Sequence, residues 1–200
     1  MRRLAFVLAG LLCSVAAHAS PLDTSSARYA AYNDPLFSGS SQPDDSDYFR
    51  PQAVAEPRQL VQFDGKFAPG TIVISTSQRR LFYVTGRGEA IQYSVGVGRP
   101  GFTWSGTKTV SMKREWPDWR PPAEMLRRRP DLPRYMPGGP ENPLGARAMY
   151  LGSSLYRIHG SNEPETIGQA VSSGCIRMTN DDVTDLYNRV RVGARVVVLQ

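Results

Sequence analysis

The chain has 200 residues, of which 40% are hydrophobic and 21% charged, and its formal net charge is +6 at neutral pH. A basic chain attracts polyanions, an acidic wall polymer among them, but here nearly all the positive charge is arginine, scattered except at Arg127-Arg128-Arg129. With no nucleic-acid motif beside it, that charge reads as solubilising, and nucleic acid is set aside as a partner.

Arg2 and Arg3, the apolar run Leu4 to Val15 and the small-residue site Ala17-His18-Ala19 before Ser20 have the form of a secretory signal peptide over residues 1–19. The apolar run is shorter than the roughly 20 residues that span a bilayer, which disfavours a retained anchor. Leu12, bulky and directly before Cys13, disfavours lipid attachment there. Cleavage would leave one cysteine, Cys175, and one histidine, His159, in a chain exported to the periplasm or cell envelope, with membrane contact only during export. A lone cysteine in an oxidising compartment bonds another chain, lies inert in the core or serves as a reactive thiol, and the count alone does not choose.

Residues 20–69 are rich in Ser, Asp, Pro, Gln and Ala without sustained periodicity, and are expected to be flexible. From Gly70 the pattern changes. Thr71 to Thr76 and Arg80 to Val84 predict a hairpin, and Ala90 to Gly98 and Lys108 to Lys113 predict further strands, which together suggest an antiparallel sandwich or barrel. Between Trp104 and Leu144 prolines alternate with Trp104, Trp116, Trp119 and Tyr135, with a short helix expected at Pro122 to Arg129. So long a connection, with tryptophans that look buried, is expected to be a lid or groove wall, or else a structural insertion.

Strand patterning resumes at Ala148 to Leu151 and Leu155 to His159, so that His159 ends a strand. After Cys175, Thr179 or Asn180 is placed to cap a helix in which Val183, Leu186, Tyr187 and Val190 form one apolar stripe. Gly193 follows it, and Ala194 to Leu199 predict the last strand. Residues 70–200 are enough to bury a core of their own.

A thiol becomes a strong nucleophile only when deprotonated, and an imidazole can take its proton or pair with the thiolate. His159 at a strand end and Cys175 after a glycine-bearing loop could meet at one rim of the sheet. Gly174 permits a tight turn whose amides could face an oxyanion. The bland readings are a buried apolar cysteine and a structural histidine. A zinc centre needs three or four ligands, which this pair does not supply, and no Gly-x-Ser-x-Gly elbow marks a serine hydrolase.

The runs Tyr156-Arg157-Ile158-His159-Gly160-Ser161-Asn162-Glu163-Pro164 and Ser172-Ser173-Gly174-Cys175-Ile176-Arg177-Met178 resemble the signature of L,D-transpeptidases. Thr71 to Ser75, Trp116-Pro117-x-Trp119 and Asn142-Pro143-Leu144-Gly145-x-Arg147-Ala148 resemble that family too, so the likeness covers roughly residues 70–200. It implies a mainly β fold, a sandwich or barrel with one C-terminal helix and the long Pro/Trp-rich insertion. It also implies a reaction in which Cys175 forms a thioester at the third residue of a peptidoglycan stem tetrapeptide. The terminal D-amino acid leaves and the acyl group passes to an amine, giving a 3→3 crosslink or attachment of an envelope protein. Water or a free D-amino acid as acceptor would give hydrolysis or exchange.

By the same resemblance His159 is the base, the carbonyl of Gly160 orients it, and amides near Gly174 and Cys175 form the oxyanion hole. Arg177 braces the nucleophile loop or meets a substrate carboxylate. Many members carry His where this chain has Ser173, which makes Ser173 a supporting candidate for acceptor binding. One thiol and one base suffice for both half-reactions, so no cofactor is expected. A protein-directed cysteine peptidase and a non-catalytic wall-binding module are the alternatives from other classes.

Overall fold

The computed structural model describes residues 55–86 and 88–200; the expected signal peptide and residues 20–54 lie outside the described residues. Eleven strands and two α-helices follow in chain order: β1 (Gln59–Gln62), β2 (Ile72–Ser75), β3 (Arg80–Gly86), β4 (Glu89–Ser94), β5 (Val97–Gly98), β6 (Gly106–Glu115), α1 (Ala123–Arg128), β7 (Arg147–Leu151), β8 (Arg157–His159), β9 (Ala170–Ser172), β10 (Ile176–Arg177), α2 (Asn180–Arg189) and β11 (Arg195–Leu199). Nine strands join in the order β1-β4-β3-β2-β11-β6-β7-β8-β10, and β5 pairs with β9.

The expected hairpin is β2–β3, with Ile72 opposite Tyr83 and Ile74 opposite Leu81. Ile72, Ile74 and Leu81 share one face and are buried completely, and Val73 on the other face is buried too. β6 belongs to both halves of the sheet: Gly106 to Thr109 pair with β11, and after a register shift near Val110 the rest pairs with β7. The shift lets one strand serve two layers. Ile72, Ile74, Leu81 and Tyr93 from one half, Met149, Leu151, Ile158 and Ile176 from the other, and Val183, Leu186 and Val190 along α2 share a single core. The mainly β fold with one principal helix is thus borne out. The sheet is mixed rather than antiparallel, because β11–β2 and β10–β8 run parallel, as does the separate pair β5–β9.

Thr179 caps α2 by accepting the N–H of Asp182 at 3.1 Å. At the other end Lys113 donates to the carbonyls of Tyr187 and Val190 at 2.6 and 2.7 Å, placing a cation where the helix leaves acceptors unpaired.

Two expectations need correction. The segment expected to be flexible is ordered at its C-terminal end, where β1 pairs with β4 and Arg58 donates to Asp182 of α2 at 3.0 Å. The strand is short and mostly exposed, so it carries no buried alternation to betray it. In the connection between β6 and β7, Trp119 is buried but Trp116 is 45% exposed, with φ at 40°. What holds that connection is Asn142, buried, which donates to Pro117, Met136 and Pro137 carbonyls at 3.1, 3.3 and 2.9 Å and accepts from Leu144 N at 2.9 Å. A proline-rich stretch lacks amide donors, and one side-chain amide stands in for them.

Candidate active site

β8 and β10 run parallel with Ile176 opposite Ile158 and Arg177 opposite His159. Cys175, directly before β10, therefore falls level with Arg157, and residues 157 and 159 of one strand share a face. That register brings Cys175, His159 and Arg157 to the same side of the sheet. β10 is fixed from its other flank by Gly96, which exchanges backbone hydrogen bonds with Arg177 at 2.9 and 2.8 Å.

His159 is 4% exposed, and its Nδ1 lies 2.6 Å from the carbonyl oxygen of Gly160. A carbonyl only accepts, so Nδ1 carries the proton and Nε2 is left with its lone pair. The Gly160 turn is itself held by Asn180, whose Oδ1 accepts Ala146 N at 2.9 Å and Ser161 N at 3.3 Å. A Cβ on Gly145 or Gly160 would collide with that same oxygen, so both glycines are required by close approach.

Burial, followed by the charge of Arg177, pushes His159 down to about 3, against a smaller opposing effect from the Gly160 carbonyl. Burial pushes the Cys175 thiol up, while the charges and N–H groups of Arg157 and the charge of Arg177 act the other way. At neutral pH the two groups are therefore a thiol and a neutral imidazole rather than an ion pair. Such a pair suits general-base removal of the thiol proton at the moment of attack.

The turn at Gly174 and Cys175 is closely braced. Gly174 has φ at 104°, and a Cβ there would lie 2.6 Å from the Tyr156 ring, so only glycine fits. Tyr156 stacks on Trp104 with centroids 4.6 Å apart and planes 6° apart. Trp104 Nε1 donates to the Gly174 carbonyl at 2.8 Å, and Ser172 Oγ donates to the Cys175 carbonyl at 2.6 Å. The Gly174 N–H is spent on Ser172 Oγ at 3.1 Å, so that amide, one of those expected to face an oxyanion, is occupied by the protein itself. Ser173 is half-buried and makes no side-chain hydrogen bond among the described residues.

Arg177, 7% exposed, pairs with Glu163 at 3.1 Å and reaches Thr166 Oγ1 at 3.4 Å. The pair ties β10 to the 3-10 turn Pro164–Thr166 in the loop between His159 and Cys175. Sequence reasoning named Cys175, His159, Gly160, Gly174, Ser173 and Arg177, and missed the bracing by Trp104, Tyr156, Ser172 and Asn180. In the sequence Asn180 stands out only as a helix cap. The stacking of Trp104 joins residues far apart in the chain and leaves no local signal.

A family model for the L,D-transpeptidase catalytic domain matches residues 69–198. Among curated proteins, the probable L,D-transpeptidase ErfK/SrfK of Escherichia coli is 36% identical over 77% of this chain and 52% of its own length. The probable L,D-transpeptidase YbiS of the same organism is 36% identical over 70% of this chain and 47% of its own. The chain thus spans about half the length of these relatives. A solved L,D-transpeptidase from Mycobacterium smegmatis has the same fold, with a TM-score of 0.52 at 20% identity over 65% of this chain and 58% of that one. A solved Brucella melitensis protein, described as a probable carnitine operon oxidoreductase, is 45% identical with a TM-score of 0.50, over 76% of this chain and 97% of that one. The family expected from the two signature runs is borne out: the chain belongs to the L,D-transpeptidase catalytic-domain family, whose members are acyltransferases.

Proposed function

We propose that the protein is an exported peptidoglycan L,D-transpeptidase whose nucleophile is Cys175. His159 Nε2 takes the thiol proton as Sγ attacks the carbonyl of the third residue of a stem tetrapeptide. The imidazolium then gives its proton to the departing D-amino acid, leaving a thioester. An amine attacks that thioester, Cys175 recovers a proton through His159, and the new amide is released. A diaminopimelate side chain as acceptor makes a 3→3 crosslink, and a lysine of an envelope protein makes a protein anchor.

The observation that carries this reading is the fixed tautomer of His159, with Nδ1 on the Gly160 carbonyl and the parallel β8–β10 register aligning its strand with Cys175. Gly160 does the orienting work that a carboxylate does in a Ser-His-Asp triad. Because the Gly174 N–H is engaged, the Cys175 N–H is the amide we assign to the oxyanion. Arg177, held by Glu163, braces the loop rather than binding substrate. Residues 1–19 act as the export signal, those that follow tether the catalytic domain of residues 70–200, and the β6–β7 connection covers the groove. Arg128 of α1 lies 5.6 Å from the ring of Phe102, beside the nucleophile turn, which supports the last of these.

The test is incubation of the mature protein with a disaccharide-tetrapeptide muropeptide, alongside C175A, with products read by mass spectrometry. Loss of terminal D-alanine with dimer formation, absent in C175A, supports transpeptidation, and loss without dimer indicates hydrolysis. No product from a reduced, folded enzyme overturns the reading and moves a protein-peptidase, binding or oxidoreductase role forward.

A further inference from the structure

Arg157 has no part in the transfer chemistry described above, yet it converges on the sulfur. Its Nη1 donates to the carbonyl of Leu155 at 3.1 Å, and Cys175 Sγ lies 3.8 Å from that same carbonyl oxygen. Its Nε is buried with no hydrogen-bond partner in the protein. The guanidinium lies over the ring of Tyr150, 5.0 Å from its centroid, so it is held against the sheet rather than free in solvent. An orphaned buried N–H is costly and rare, and it is tolerated where something else comes to satisfy it.

The groups facing the thiol are few. β8 contributes Arg157 and His159. β10 contributes Arg177, whose charge is matched by Glu163, and Tyr156 lies against Gly174 with Lys108 Nζ 5.7 Å from its ring. Of the two arginines, Arg177 is ion-paired with a carboxylate, whereas no carboxylate bonds Arg157 among the described residues. Arg157 therefore projects an uncompensated charge onto the sulfur.

We propose that Arg157 is the positioning residue that holds Cys175 as thiolate once His159 has taken its proton, so that sulfur is charged at attack although its resting form is neutral. The proton moves from Sγ to His159 Nε2, the electron pair stays on sulfur, and the guanidinium faces the resulting anion. Burial of the thiol opposes that charge, and Arg157 is the leading influence in the other direction. The same charge disfavours the imidazolium, though less than Arg177 does. Arg157 is thus biased toward the sulfur. The inference rests on Cys175 being the nucleophile but not on which acceptor is used.

The test reads the thiol directly. Full-length protein, with R157K, R157Q and R157M variants, is alkylated with iodoacetamide from pH 7 to 11, and modification of Cys175 is followed by peptide mass spectrometry. R157Q and R157M, the second of which fills the space over Tyr150 without charge, are expected to shift the alkylation midpoint upward by about one pH unit or more. R157K, which keeps the charge, is expected to stay nearer the native midpoint. Two uncharged variants guard against one of them failing to fold, which thermal unfolding checks. Midpoints that coincide in native protein and either folded uncharged variant overturn the proposal. Because no muropeptide is present, an inactive enzyme with a shifted midpoint would sink the functional reading and leave this one standing.

Discussion

The indole N–H of Trp104 reaches the carbonyl of Gly174 at 2.8 Å, tying the start of β6 to the residue before the thiol. The bond and the stack on Tyr156 hold the glycine turn from one side, and the two hydrogen bonds of Ser172 Oγ hold it from within. Trp104→Phe keeps a ring for stacking and removes the donor. It should lower stability by about 1 kcal/mol, and lower kcat for thioester formation more than it raises KM. Urea unfolding and single-turnover acylation check this, and unchanged kcat would show that the turn holds its shape alone.

Asn180 is a positioning residue for the base. Asn180→Ala strands two N–H groups, those of Ala146 and Ser161. The expected loss is about 1–3 kcal/mol of stability, with slower turnover as the Gly160 carbonyl loses its fixed angle to His159. Asn180→Asp retains an acceptor at the start of α2, where negative charge is favourable, and should recover most of the stability.

The depressed His159 makes a prediction about acid. In the unfolded chain the imidazole titrates near 6.5, and in the folded protein near 3. Between those values the unfolded state binds a proton that the folded state refuses. This contribution to stability is full above about pH 6.5 and drains away as pH falls toward 3, by up to about 1.4 kcal/mol per pH unit. Urea midpoints at pH 7, 6 and 5 should fall more steeply for the native protein than for H159Q, and parallel lines would mean the imidazole is accessible to protons when folded.

Glu163 and Arg177 have side chains 16% and 8% exposed. Glu163→Gln leaves the arginine charge buried, at an expected cost of about 3 kcal/mol. E163Q combined with R177M removes both charges and should recover part of it. A double-mutant cycle by urea unfolding measures the coupling, and strictly additive losses would mean the pair does not act as one unit.

The strands β2, β3, β7 and β11 were legible as short β-branched and aromatic runs, β2 and β11 being buried on both faces, and α2 by an apolar stripe with a period of 3.6. β9 and β10, two or three residues long, are too short to show a period, and the parallel partner of β9 comes from a distant part of the chain. The pair Cys175 and His159 was legible by elimination and by resemblance. What held them was not, since Trp104 to Gly174 and Asn180 to Ala146 are meetings created by the fold. Trp116 looked like core because tryptophan is costly to expose, yet its backbone bond to Ala146 fixes the turn while the ring stays outside.

The last strand lies in the middle of the sheet: β11 runs between β2, more than a hundred residues earlier, and β6. A chain interrupted before Arg195 consists of two half-sheets, each with an open edge and an uncovered apolar face. The seam that runs through β11 can form only after that strand has been made, whereas the bonds between Gly96 and Arg177 link the halves without it. Until then the shared core lacks Val196 and Val198, and the facing edges of β2 and β6 stay open.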